Sequence, residues 1–319
     1  MLRTLVALGL TVAALAVPAG AQQYPEHPVR IIVGFAAGSG PDLQARTIAQ
    51  QLATDLKQSF HLENRLGANG TIAARAVATA PPDGLTLLFS SSSIAPTPHI
   101  YKSLGYDTLA DLRPVATSGI LDGLLVLVDA NSPIKSMTEF IAHAKANRVL
   151  YGSPGVGNLL HLAPEMFAQH AGITFQHVPY KGSSEVITAL LGGSVQMMFV
   201  TPVSVVGLVR EGKLRALAFT GTKPFPQFPD VPLLKDIVPG YQPLGSWGMF
   251  YAPGKTPDVI VDKLNSAVRA ALKVPMVAGV MQRDGYVPDN RTAAETAAFF
   301  RKEVEAMGEA VKAAKIAPN

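Results

Sequence analysis

The segment VRIIVGFAAGSGP, residues 29–41, contains the structural unit from which the chain is built. Val29–Val33 is rich in β-branched residues and predicts a β-strand. Gly34–Gly40 is a loop of small residues, and Pro41 suits the first position of a helix. Apolar residues then recur at helical spacing at Ala45, Ile48, Ala49, Leu52, Ala53 and Leu56. The segment therefore predicts a strand, a small-residue loop and a helix.

The same unit recurs along the chain. Further strands are predicted at 85–89, 124–128, 149–151, 175–179, 195–200 and 214–219, and further helices at 71–79, 137–147, 185–191, 257–272 and 293–314. A helix through Leu162, Met166 and Phe167 follows the glycine-rich loop 152–158. Strands that alternate with helices are typical of α/β lobes with mostly parallel sheets. The two sets of elements resemble each other in layout, which predicts two similar lobes.

Composition narrows the class of protein. The chain has 319 residues, of which 48% are hydrophobic and 16% charged, and this is enough apolar material for two domains. It contains no cysteine, which excludes disulfides, thiolate metal sites and cysteine nucleophiles. The net charge is +4, but no Lys/Arg cluster occurs, so nucleic acid is not expected as a partner.

The first residues predict export. Arg3 precedes an uncharged apolar run, Leu5 to Val17, and Ala19-Gly20-Ala21 offers the small residues of a cleavage site. This order is typical of a secretory signal peptide, residues 1–21, cleaved near Ala21. A membrane anchor is the alternative, but a spanning helix needs about 20 apolar residues. We therefore expect a periplasmic protein that is not inserted in the membrane.

Four loops offer the same chemistry, at residues 34–40, 90–93, 152–158 and 180–184. Each combines free backbone N–H groups and small hydroxyls, and three of them precede a predicted helix. The start of a helix attracts anions because its N–H groups are unpaired and its dipole is positive there. In α/β sheets, ligands bind beyond the carboxyl ends of the strands, where such loops lie. The loops predict an anion-binding cleft, although tight turns of this kind also occur for purely structural reasons.

No catalytic or cofactor motif stands out. Gly155-Val156-Gly157 is similar to the start of a dinucleotide fingerprint, but Leu160 occupies the position of its third glycine, so no cofactor is expected. His161 and Glu165 are spaced to share a metal ion, but helix capping or packing is the favoured role, and no metal site is predicted. Ser153 lacks the flanking residues of a hydrolase nucleophile. The interpretation is a binding protein and not an enzyme.

Trp247, the single tryptophan, lies in Gly245-Ser246-Trp247-Gly248. The glycines indicate close backbone approach, and the indole is either part of the core or a wall of the pocket.

At its loops the chain resembles a known family, the receptors of tripartite tricarboxylate transporters, called Bug receptors. The matching segments run through nearly the whole mature chain. They are YPEHPVRIIVGFAAGSGPDLQAR, ENRLGANGTIAARAVATAPPDGLTLL, SLGYDTLADLRPVA, GSPGVGNLLHL, VPYKGSSEVITALLGGSVQMMF, GKLRALAFTG and GSWGMFYAPGKTP.

The resemblance implies a two-lobed type II periplasmic binding protein fold. The chain would cross twice between the lobes, near Gly123 and Gly245. Lobe 1 would then comprise residues 22–123, lobe 2 residues 124–245, and residues 246–319 would return to lobe 1. The resemblance also implies a monomer that closes around a small organic acid and presents it to the membrane permease subunits of a transporter.

The resemblance implies site residues as well. Asp42 matches an aspartate that organises a helix start. The ligand-binding positions implied in lobe 1 and lobe 2 are Phe35, Ala36, Ala37, Gly38, Ser39, Ser90, Ser91, Ser92, Ser153, Gly157, Asn158, His161, Tyr180, Lys181, Gly182 and Thr201.

Several positions depart from the family pattern. Ser39 replaces a usual glycine, Asn158 a common serine and Glu185 a common proline, and residues 94–98 lack the usual NP pair. The ligand therefore cannot be taken over from relatives, and Thr201 gives no negative charge for an amine. Two other functions stay open. One is a sensory receptor that presents its ligand to a signalling partner, and the more remote one is a serine hydrolase.

Overall fold

The structure, a computed structural model, describes residues 24–241, 245–283, 285–313 and 316. The predicted signal peptide lies outside the described residues. Within these ranges, no helix combines the length and the apolar character needed to cross a membrane.

Two sheets form the framework. The first has six strands in the order β11-β4-β10-β3-β1-β2. They are β1 (Val29–Val33), β2 (Phe60–Asn64), β3 (Thr86–Ser91), β4 (Leu112–Leu121), β10 (Ser246–Pro253) and β11 (Val287–Pro288). The second has five strands in the order β7-β6-β8-β5-β9. They are β5 (Leu125–Asp129), β6 (Leu150–Ser153), β7 (Gln176–Pro179), β8 (Met197–Val200) and β9 (Leu214–Phe219).

Helices flank both sheets. In lobe 1, which contains the first sheet, they are α1 (Gly40–Leu56), α2 (Thr71–Ala78), α3 (Thr97–Ile100), α9 (Asp258–Ala271), α10 (Pro275–Arg283) and α11 (Ala293–Ala313). In lobe 2, which contains the second sheet, they are α4 (Met137–Ala146), α5 (Leu159–Ala171), α6 (Ser183–Leu191), α7 (Val206–Arg210) and α8 (Leu234–Ile237). The predicted two-lobed α/β fold is confirmed.

The sheets are mixed, which corrects the expectation of mostly parallel sheets. Strand β1 pairs in parallel with β2 and β3, and β6 pairs in parallel with β7 and β8. The pairs β10–β3, β10–β4, β11–β4, β5–β8 and β5–β9 are antiparallel. In the first sheet, β4 and β10 are antiparallel because the chain leaves this sheet along β4 and returns beside it along β10.

The chain passes from the first sheet to the second after β4 and returns to the first with β10. Leu121, the last residue of β4, pairs with Ser246, the first residue of β10. On the other side, Leu125 at the start of β5 pairs with Phe219 at the end of β9. The short connection between β4 and β5 therefore begins beside the start of β10 and ends beside the end of β9.

Asp122 holds this connection in place. Its carboxylate accepts hydrogen bonds from Thr222 N at 2.7 Å, from Thr222 Oγ1 at 2.9 Å and from Lys223 N at 3.2 Å. A Cβ atom built on Gly245 would lie only 3.3 Å from the carbonyl oxygen of Asp122. The two backbone segments thus lie so close together that a side chain at Gly245 would be crowded.

A continuous apolar cluster joins the two lobes. It contains Ile32 and Leu88 of the first sheet together with Val126 and Phe199 of the second. Helix α11 contacts both β4 and α5, so it packs against elements of both lobes.

Trp247 belongs to this cluster. Its side chain is buried, and its ring makes edge-on contacts with Phe299 and Phe300 of α11. The indole Nε1 donates a hydrogen bond to Glu303 Oε2 at 2.8 Å. Of the two alternatives left open by the sequence, the structure places Trp247 in the core.

Replacing Trp247 by phenylalanine should destabilise the protein. The partly buried Glu303 carboxyl would lose its donor. An unsatisfied buried group costs about 1–3 kcal/mol, and we expect a loss toward the lower end of that range. Burial already raises the pKa of Glu303 in spite of the bond from Trp247. Chemical denaturation at pH 8 measures the loss.

Glu303→Gln is the matched control, because the amide oxygen still accepts the indole N–H. A carboxyl whose pKa is higher in the folded than in the unfolded protein makes the fold less stable as the pH rises through the folded pKa. The amide does not titrate and has no such effect. We expect Glu303→Gln to be at least as stable as the wild type at pH 8. A Trp247→Phe variant with wild-type stability would contradict the assignment.

Candidate functional site

The first candidate loop, between β1 and α1, is organised by Asp42. Gly38 N donates to Asp42 Oδ2 at 2.8 Å, and Arg46 Nε donates to the same oxygen at 2.8 Å. Asn64 Nδ2 donates to Asp42 Oδ1 at 2.8 Å. Burial alone would raise the pKa of Asp42, but these hydrogen bonds outweigh it, so the pKa lies below its ordinary value. Asp42 is a buried, ionised carboxylate that fixes the loop.

Ser39 has a different environment in the same loop. Its backbone N–H donates to Ala36 O at 3.1 Å, which closes a turn. Its hydroxyl oxygen is buried and has no hydrogen-bond partner among the described residues. A Cβ atom built on the next residue, Gly40, would lie 4.0 Å from Val203 Cγ1 of lobe 2. The unpaired Ser39 hydroxyl therefore lies where the two lobes approach each other.

Ser90 and Ser91 at the end of β3 and Ser92 directly after it are buried, and two of their hydroxyls are hydrogen-bonded. Ser91 Oγ accepts a hydrogen bond from Ser93 N at 3.3 Å, and Ser92 Oγ lies 3.1 Å from Ser246 Oγ at the start of β10. Ser90 is 1% exposed. Two of the three hydroxyls thus hold the local turn and the return crossing.

In lobe 2, the loop between β6 and α5 is held by hydrogen bonds among its own residues. The carbonyl oxygen of Gly155 accepts hydrogen bonds from Ser153 Oγ and from Asn158 Nδ2, each at 2.8 Å. Asn158 also caps α5, because its side-chain oxygen accepts from His161 N at 3.1 Å. Gly157 has a φ of 80°, which favours glycine.

His161 completes this loop from the first turn of α5. Its Nδ1 accepts a hydrogen bond from Gly157 N at 2.8 Å, which requires an unprotonated Nδ1. Burial, and then the nearby His177, lower the pKa of His161 to about 3. The imidazole is therefore neutral at physiological pH and adds no charge to the start of α5.

Behind His161 lies a cluster that the sequence did not indicate. The rings of His161 and His177 stack with their centroids 4.0 Å apart, and Tyr151 stacks on His177 at 5.0 Å. His177 Nε2 lies 2.7 Å from Ser153 Oγ. Tyr151 and His177 are direct partners in the pairing of β6 with β7, so strand register was the signal that could have shown their contact.

Glu165 belongs to this cluster and does not face His161 as a second metal ligand would. Its Oε1 accepts a hydrogen bond from the Tyr151 hydroxyl at 2.6 Å. Burial raises the pKa of Glu165 in spite of that bond. Among the described residues, no group of three or more metal-ligating His, Asp or Glu side chains occurs.

At the start of α6, as at α1 and α5, a side chain in the first helical turn accepts a hydrogen bond from a loop N–H group, and here that side chain is Glu185. Lys181 N donates to Glu185 Oε2 at 3.1 Å. The Lys181 side chain is exposed, whereas the ring of Tyr180 packs toward Gly152 and the apolar cluster of lobe 2. Thr201, at the end of β8, is half-buried.

The lobes meet at a residue that the sequence analysis missed. Asn69 of lobe 1 donates from Nδ2 to the carbonyl oxygen of Val156 in lobe 2 at 2.7 Å. The structure therefore brings together the loops at 34–40 and 67–70 of lobe 1 and the loop at 153–158 of lobe 2.

Comparison with known proteins shows the family. Residues 44–316 match the profile described as the tripartite tricarboxylate transporter family receptor. The chain is 39% identical over 272 residues to "UPF0065 protein in gbd 5'region" of Cupriavidus necator, which covers 84% of this chain and 81% of that protein.

Two solved structures of similar proteins hold organic acids. Rpa4515 of R. palustris, with adipate, has a TM-score of 0.85 and 31% identity and covers 93% of this chain and 100% of that one. MatC (Rpa3494) from Rhodopseudomonas palustris, with bound malate, has a TM-score of 0.80 and 30% identity and covers 90% and 100%.

The stacked histidines predict a loss of stability in acid. Burial lowers the pKa of His177 to about 4, and that of His161 is lower still. An unfolded histidine titrates near about 6.5, so the unfolded state takes up protons first as the pH falls. The free energy of unfolding should therefore decrease from about pH 6.5 toward pH 4.

The variant His177→Phe keeps a stacked ring and removes one titrating group. Its free energy of unfolding should fall less steeply over the same pH window, as urea denaturation at a series of pH values would show. An equal slope in the two proteins would contradict the assignment.

Proposed function

The chain belongs to the tripartite tricarboxylate transporter family of receptors, which are periplasmic solute-binding proteins, and on this premise we propose that it captures a small organic carboxylate between its lobes. We further propose that it delivers this solute to the permease subunits of a tripartite tricarboxylate-type transporter. The binding site comprises the loops at 34–40, 90–93, 153–158 and 180–184.

The observation that carries the proposal is the buried Ser39 hydroxyl, which has no partner among the described residues. Buried hydroxyls normally find a hydrogen-bond partner. Ser39 occupies the N-cap position of α1 without a side-chain capping bond, where lobe 1 approaches Val203 of lobe 2. A ligand carboxylate in the cleft would accept a hydrogen bond from this hydroxyl and would also face the positive end of a helix dipole.

Neutral donors can supply the required affinity. A hydrogen bond to a charged group contributes roughly 1.5–3 kcal/mol, and a helix dipole about 0.3–2 kcal/mol. Three or four such contacts reach the roughly 8 kcal/mol of a micromolar complex. The adipate and malate of the two relatives are dicarboxylates, and we take them as the first probes for this chain.

Ser153 and His177 favour the hydrolase alternative only superficially. Their 2.7 Å separation is that of a nucleophile and its base. Ser153, however, is 0% exposed, and its hydroxyl also donates to Gly155 O. We propose that the pair fixes the loop and performs no chemistry. Ester turnover abolished by Ser153→Ala or Ser91→Ala would overturn this. A sensory role would use the same binding chemistry, and a pull-down of the partner separates it from transport.

The variant Ser39→Ala tests the site. The hydroxyl makes no intramolecular bond among the described residues, so the free energy of unfolding without ligand should change by less than about 0.5 kcal/mol. The affinity for the bound acid should fall at least about tenfold, because a hydrogen bond to a charged group is lost. A thermal-shift screen of mono-, di- and tricarboxylates and aromatic acids identifies the acid, and calorimetry measures both affinities.

Ser194→Ala is the matched control, because Ser194 is exposed after α6. It should bind the acid as the wild type does. A melting temperature raised by neutral solutes and by no acid would overturn the proposal, and so would wild-type affinity in Ser39→Ala.

A further inference from the structure

The loop at 67–70 of lobe 1 has an unusual backbone. Four consecutive residues have positive φ angles: 125° at Gly67, 45° at Ala68, 55° at Asn69 and 85° at Gly70. L-residues other than asparagine and aspartate seldom adopt such angles, and for alanine they are unfavourable. The loop holds a costly conformation, and its effect is to direct the Asn69 side chain toward lobe 2.

The Asn69 amide group uses both of its N–H bonds. One donates to Val156 O in lobe 2 at 2.7 Å, and the other donates to the Tyr101 hydroxyl oxygen in lobe 1 at 3.2 Å. The contact with Tyr101 orients the amide, so the contact with Val156 is made by a fixed donor. The two partners of the cross-lobe bond lie in different lobes, and the bond exists only when the lobes are together.

The same loop of lobe 2 contacts lobe 1 at its glycines. A Cβ atom built on Gly157 would lie 2.8 Å from Ile100 Cγ2, and one built on Gly155 would lie 3.5 Å from Asn69 Oδ1. Val156 is thus followed by Gly157, whose lack of a side chain lets the loop approach lobe 1. Ser153, Asn158 and His161 hold this loop from behind.

We propose that Asn69 is a positioning residue, which holds the carboxylate-binding loop of lobe 2 against lobe 1 and thereby sets how long the closed receptor retains its ligand. The inference rests on the proposed function and adds a determinant of affinity to it. Asparagine suits the position on two grounds. It tolerates the left-handed backbone, and its amide supplies the donor that Val156 O requires.

Two substitutions test the contribution of the Asn69 amide donor separately from that of the left-handed backbone at this position. Asn69→Gly keeps the left-handed conformation and removes the side chain. Asn69→Asp keeps the shape and places an acceptor opposite Val156 O. We expect both to raise the dissociation constant for the acid found by thermal shift, adipate being tried first, by about three- to tenfold through a faster dissociation rate. Association should change little.

Two further variants act as controls. Lys57→Gly changes another left-handed, exposed position, with φ of 52°, at the end of α1 opposite to the loop at 34–40, and should leave binding unchanged. Tyr101→Phe removes only the orienting contact and should have a smaller effect than Asn69→Gly. Equal melting temperatures of Asn69→Gly and the wild type without ligand would show that the fold is intact.

The lack of cysteine permits a direct measurement of closure. Spin labels on Gln50→Cys in α1 and Gln169→Cys in α5, both exposed, report the distance between the lobes. The Asn69→Gly background should shift the distance distribution toward longer values. Identical distributions and identical affinities in the two backgrounds would overturn the inference. Failure of the wild type to bind any acid would instead overturn the proposed function.

Discussion

The site depends on one repeated hydrogen bond, in which a side chain in the first turn of a helix binds a loop N–H four residues before it. Its three instances at the site are Gly38 with Asp42, Gly157 with His161, and Lys181 with Glu185. The bond ties the loop to its helix, so that the remaining N–H groups point in fixed directions. Preorganised donors favour binding because no ordering cost remains when the ligand arrives. In each loop one N–H group is therefore used within the protein and is not available to a ligand, and in return this bond holds the loop against its helix.

The chemistry of the capping side chain differs among the three helices and sets the local potential. Asp42 is negative, but Arg46 lies against it and compensates its charge. Glu185 adds an exposed carboxylate at the start of α6. His161 is neutral, because burial and His177 lower its pKa to about 3. The positive end of the α5 dipole is consequently not offset by a negative side chain in the first turn of the helix. The loop before α5 is also the loop that Asn69 contacts.

Local signals were enough to predict the strand, loop and helix units, but not the strands that depend on distant partners. Strands β4 and β10 were missed, because β10 is buried at all eight positions and shows no alternation, and β4 contains Pro114. The loops of the site were predicted, since their glycines and serines are local features. His177 was missed because its contact follows from strand register, and Asn69 because its partner lies 87 residues away.

We propose that helix α5 connects ligand binding to the movement of the lobes. Its first turn carries the carboxylate-binding loop, and its apolar side chains belong to the cluster that spans both sheets. It also contacts α11, which packs on β4 of lobe 1. To separate Asn69 from Val156, the lobes must either part α5 from α11 or rotate about that contact. Parting would expose apolar surface at about 25 cal/mol per Å². We propose that the lobes rotate about this contact, because rotation keeps that surface covered and changes the backbone only near Asp122 and Gly245.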